Sequence, residues 1–104
     1  MKILFDHGTP APLRKHLIGH SVATSGEQGW DRLSNDDLLR EAESVFEMKI
    51  TTDQSIRHQQ NRGGRRLAIL VLPTTSWPII QQHVSSVRAA VDTIGPGELR
   101  ELTF

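Results

Sequence analysis

Two aspartates in this sequence each close a short apolar run. Asp6 follows Ile3-Leu4-Phe5, and Asp53 follows the stretch from Met48 to Thr52. If those runs are neighbouring strands of one sheet, the two carboxylates meet at a common edge. Paired carboxylates of this kind can share a hard divalent cation such as Mg²⁺ or Mn²⁺, which prefers oxygen ligands. In phosphodiester hydrolysis such an ion polarises the phosphoryl oxygen, generates hydroxide and stabilises the leaving oxygen. Two carboxylates make a weak site, so a third acid is expected nearby. Asp36, Asp37, Glu41 and Glu27 are the candidates. Structural roles compete at each: an aspartate after a strand caps a turn through its own backbone, and acids in a helix's first turn are favoured by the macrodipole.

Other side chains bear on the same chemistry. His7 adjoins Asp6 and fits a general base or a partner that orients the carboxylate. Arg57, Arg62, Arg65 and Arg66 are interleaved with His58, Gln59, Gln60 and Asn61 just after Asp53. Guanidinium groups clamp phosphate and amides read base edges, so the segment suits a polynucleotide backbone as well as a plain solvated turn. Trp30 suits base stacking or packing under its loop. The remaining histidines lack metal-ligand spacing, and Gly63-Gly64 lacks the lysine and hydroxyl of a phosphate-binding loop.

The elements that must position these groups alternate in type. Ile3–Phe5 reads as a buried strand, followed by Thr9 as an N-cap and a helix begun by Pro10, with Leu13 and Leu17 inward and Gly19 as its stop. A second strand is predicted over 20–24. Ser34 caps a helix whose apolar stripe is Leu38, Leu39, Ala42, Val45 and Phe46. Residues 48–52 form a third strand, 54–61 a short polar helix or turn, and Leu67–Leu72 a central strand apolar on both faces. Trp77, Ile80, Val84, Val87, Val91 and Ile94 mark one long final helix, and 98–104 a last strand. The expectation is a single domain over 1–104, an α/β/α sandwich with a mostly parallel sheet of about five strands in order 2-1-3-4-5. In such a sheet ligands bind beyond the carboxyl ends of the strands, where the winding reverses. That point lies between the first and third strands, at Asp6 and Asp53.

Composition narrows the setting. A chain of 104 residues with 37% hydrophobic content fits one core. The absence of cysteine excludes disulfides, thiolate metal sites and cysteine nucleophiles, and it suits a reducing cytoplasm. No run reads as a signal peptide or membrane span, so no membrane partner is expected. Twelve basic and twelve acidic residues cancel, so a nucleic-acid contact must rest on a local patch.

The segments ILFDHGTP, EQGWDRLSNDDLLREAE, TTDQSIRHQQN, RRLAILVL and GPGELRELTF, in this order, resemble a compact bacterial PIN-like family. The resemblance implies a Mg²⁺- or Mn²⁺-dependent ribonuclease, often the toxin of a toxin–antitoxin pair. It implies RNA as substrate, with an antitoxin protein or a second copy of the chain as partner. Asp6 and Asp53 match the family's strand-end acids, Asp37 an acid at the start of the second helix, and Glu27 the polar position before the glycine–tryptophan loop. Gln59, Gln60 and Asn61 match a run typical of the subfamily. Two positions depart: Ser55 stands where many relatives carry a second acid, and His7 where an acid often follows the first. Fewer carboxylates mean weaker metal affinity, which keeps a non-cleaving RNA- or partner-binding module as the alternative. A receiver-like phosphoacceptor domain ranks third, since the loop after Leu72 reads Pro73-Thr74-Thr75 and carries no lysine.

Overall fold

A computed structural model describes residues 1–30, 32–55 and 66–104, without the side chains of residues 35 and 36. Asp36, Arg57, His58, Gln59, Gln60, Asn61, Arg62 and Arg65, all singled out above, lie outside the described residues or side chains, as do residues 56–61 of the short helix or turn expected over 54–61.

Five strands form one sheet: β1 (Lys2–Phe5), β2 (Ser21–Thr24), β3 (Met48–Thr51), β4 (Ala68–Val71) and β5 (Leu99–Glu101). Their order is β2-β1-β3-β4-β5 and every pairing is parallel, as the alternation of elements predicts. The register aligns Ile3 with Met48 and Ala68, and Phe5 with Ile50 and Leu70. Because side chains alternate along a strand, those residues share one face. They pack there with Leu13, Leu17, Ile80, Val87, Ala90 and Val91. Leu4, Ile69 and Val71 point the other way and pack against Leu38, Leu39, Ala42 and Phe46. Helices therefore cover both faces. Every residue of β3 and β4 is buried, which explains the apolar run of 67–72.

Several local expectations are revised. The first helix is a 3₁₀ helix, Ala11–His16, with Pro10 at its N-cap, and Thr9 is not the cap. Pro12 disfavours the α conformation at Ala11 and removes a donor, so a tight, short turn results. Helix α1 (Asn35–Glu43) is capped as expected, with Ser34 Oγ accepting from the Asp37 amide at 3.2 Å. It ends before Val45, which is 43% exposed and lies off the buried stripe. The long final helix is two, α2 (Trp77–Gln81) and α3 (Val84–Thr93). His83 leaves the helical conformation and stacks on Phe104, with ring centroids 4.4 Å apart. The stripe survives the break: Ile80, Val87, Val91 and Ile94 are all buried. The last strand is three residues long instead of seven. No described helix is long and apolar enough to cross a membrane.

Candidate functional site

Asp6 leaves β1 at its carboxyl end, beside β3, and is almost fully buried. Oδ1 of its carboxylate accepts from the Gly8 amide at 3.2 Å, and it lies 2.9 Å from the Thr9 hydroxyl. That hydroxyl is also 2.9 Å from the Ile50 carbonyl, so its single proton serves one acceptor at a time. Oδ2 accepts from the Thr51 hydroxyl. The turn is close-fitting: a Cβ on Gly8 would overlap the Thr52 hydroxyl.

Asp53 stands two residues beyond the end of β3. Its backbone amide donates to Thr51 Oγ1 at 3.1 Å, so one buried hydroxyl group binds the Asp6 carboxylate and the Asp53 main chain. Asp53 Oδ1 accepts from both the amide and the hydroxyl of Ser55, at 3.0 and 2.7 Å. Ser55 thus satisfies Asp53 Oδ1 through both of its donors. Gln54 donates to the Leu72 carbonyl at 2.6 Å and ties this exit loop to the end of β4.

His7 is exposed, and its Nδ1 lies 3.4 Å from the hydroxyl of Ser25, which is buried. With Nδ1 protonated toward Ser25, Nε2 presents a lone pair for taking up a proton.

The other sequence candidates stand in contacts of their own. Glu27 forms an ion pair with Arg14 at 2.5 Å and accepts from the Thr24 amide at 2.8 Å. The Arg14 hydrogen bond, and then the Thr24 amide, hold its carboxyl below the usual range. Asp37 meets Arg40 at 3.4 Å across one turn of α1. Among the described residues no three Asp, Glu or His side chains converge as a metal-binding group, so neither Glu27 nor Asp37 joins Asp6 and Asp53 in one. The donor set still fits Mg²⁺, which binds through one or two carboxylates and keeps several waters. Arg66 stands before β4, where its amide donates to Glu43 at 3.0 Å. It lines a cavity of about 290 Å³ with Met1, Phe46 and Pro96, at the sheet edge opposite the aspartates. Trp30 packs edge-on against Phe46, with centroids 6.0 Å apart, and has the packing role.

Three groups escaped the sequence reading. Thr9 and Thr51 orient Asp6, and only the register reveals them. Arg14 and Lys15 line an open cleft of about 550 Å³ with Thr24 and Glu27, beside the ends of β1 and β2. Lys49 is 1% exposed in the middle of β3. Burial lowers its pKa below the ordinary 10.5, while the charges of Asp6 and Asp53 push the other way. A lysine between Met48 and Ile50, in a strand that must be covered on both faces, was the available signal.

No protein-family profile, curated protein or solved structure matches the chain.

Proposed function

We propose that this protein is a PIN-like, metal-dependent endoribonuclease that hydrolyses RNA phosphodiester bonds at Asp6 and Asp53, in the toxin-like setting its resemblance implies. The observation that carries the reading is that Thr51, at the reversal point of a parallel sheet, hydrogen-bonds both the Asp6 carboxylate and the main chain of Asp53. In this reading Asp6 and Asp53 hold a Mg²⁺ or Mn²⁺ ion. When bound, that ion supplies a polarised phosphoryl oxygen and a water of lowered pKa. Thr9, Thr51 and the Gly8 amide fix the Asp6 carboxylate in one orientation, which limits reorganisation during the reaction. His7 Nε2 accepts a proton from the attacking water. The phosphate backbone of the RNA is held by Arg14 and Lys15 on the near side and by the amides and guanidinium groups of 57–65.

The test compares RNA cleavage by wild type and Asp53→Asn in Mn²⁺, in Mg²⁺ and in EDTA. Metal-dependent cleavage that falls at least ~100-fold in the variant is the expected result. Equal cleavage by both proteins would remove this site from the reaction.

A specific observation also favours a second reading, an RNA- or partner-binding module without cleavage. Ser55 stands at the position of the missing acid and caps Asp53 twice. Under this reading RNA binds in EDTA at low salt and stays intact when metal is added. Arg65→Ala with Arg66→Ala then weakens the binding.

A further inference from the structure

The cleft beside the ends of β1 and β2 holds an anion that the protein itself supplies. Glu27 meets Arg14 through both carboxylate oxygens: Oε1 accepts from Nη2 at 2.5 Å and Oε2 from Nη1 at 3.3 Å. This is the paired geometry in which a guanidinium also takes a phosphate. Oε1 accepts from the Thr24 amide too, at 2.8 Å, and the Glu27 amide donates to the Thr24 hydroxyl at 3.1 Å. The turn from 24 to 27 therefore aims the carboxylate at Arg14 in a fixed direction. Thr24 pairs in register with Phe5, the residue before Asp6, and Ser25 lies 3.4 Å from His7. The occupied guanidinium thus flanks the aspartate edge.

The pair is open to solvent, 38% exposed at Arg14 and 52% at Glu27. An exposed ion pair is held weakly, so another anion can exchange into it. Arg14 also has an unused donor: its Nε is covered and has no hydrogen-bond partner among the described residues. Lys15, exposed on the same cleft, adds a second cation.

We infer that Glu27 is an internal stand-in for an RNA phosphate: it occupies the Arg14 guanidinium in the free protein, and a phosphate of the incoming strand displaces it. The inference rests on the proposed RNA-binding role of this cleft and deepens it. Once Arg14 turns from Glu27, a phosphate has enough acceptor oxygens to meet Nη2 and Nε side by side, while Lys15 meets the next charge along the strand. A lone carboxylate ligand gains nothing over the one already in place, so the cleft is reserved for a polyanion.

The experiment follows a fluorescein-labelled oligouridylate by fluorescence anisotropy, in EDTA and over a range of salt, for wild type, Glu27→Gln, Arg14→Gln and the double variant. Glutamine keeps an oxygen for the Thr24 amide and removes only the charge, and Glu27→Ala gives the same test should that variant not fold. Glu27→Gln is expected to bind about tenfold more tightly. Its slope of log K against log salt should be steeper by about 0.7, the increment of one more phosphate contact on a single strand. On the Arg14→Gln background the change at 27 should gain less than about twofold, because the two residues act as one unit. A full tenfold gain without Arg14 would mean that Glu27 repels RNA through its charge alone, and the stand-in is overturned. Equal affinity of Glu27→Gln and wild type overturns it as well, and a loss in Arg14→Gln then leaves the RNA reading intact. If none of the four proteins binds the oligonucleotide at low salt, the RNA reading falls and this inference falls with it.

Discussion

The face of the sheet under the 3₁₀ helix and α2–α3 and the face under α1 are formed by the same central strands. On the first, β1, β3 and β4 contribute Ile3, Phe5, Met48, Ile50, Ala68 and Leu70, all apolar. On the second, Lys49 and Thr51 stand in line with Leu4, Ile69 and Val71, and Thr51 hydrogen-bonds the Asp6 carboxylate at the carboxyl edge. One face is committed to holding the domain together. The other gives up part of its apolar content to support charge at the carboxyl edge. In the proposed reading the chemistry therefore rests on one face as well as on loops, and its supporting residues Thr9 and Thr51 are buried.

The contrast can be broken by substitution. Leu70 is wholly buried on the apolar face, and Leu70→Ala should cost about 2–5 kcal/mol in chemical denaturation, with no effect on Mn²⁺ binding. Lys49→Met should move stability the other way, because an apolar group replaces a charge for which desolvation outweighs the pull of Asp6 and Asp53. The sign of its pH dependence follows from the depressed pKa. The folded protein binds the Lys49 proton less tightly than the unfolded chain, so the cost of burial is full below the folded pKa and disappears above 10.5. Denaturation at rising pH should therefore show the advantage of Lys49→Met shrinking as pH approaches that value. A lysine variant that lost as much stability as Leu70→Ala would mean both faces serve the core alike. Thr51→Val sharpens the contrast at a smaller scale. It removes the hydroxyl shared by Asp6 and Asp53 and should cost about 1–3 kcal/mol, with a weaker hold on Mn²⁺.

The sheet order was legible in the sequence, because strand–helix alternation and right-handed crossovers leave few topologies, and with it the placement of Asp6 and Asp53 after the adjacent strands β1 and β3. The Ser34 cap was legible for a local reason, a hydroxyl three residues before a free helical amide. Val45 and the break at His83 were not. Helical spacing shows which residues can share a stripe, while the end of a helix is decided by its neighbours, here the His83 ring lying on Phe104. The partners of Asp6 were hidden for a related reason. Thr9 looked like a helix cap until two prolines shifted the helix start, and Thr51 reaches Asp6 across 45 residues of chain.

The parallel sheet has a consequence for synthesis. β1 is made first and lies inside the sheet, flanked by β2 and β3. Its partner β2 is complete at residue 24, but β3 ends only at residue 51. At ~5–20 residues per second the ribosome takes about 1–5 s to cover the difference, and the strand Ile3-Leu4-Phe5 waits through that interval with one edge unpaired. The nascent chain thus passes through a stage in which its most apolar early segment is open to the wrong partner. Codon usage between residues 24 and 51 is a natural place to shorten that exposure when the protein is produced.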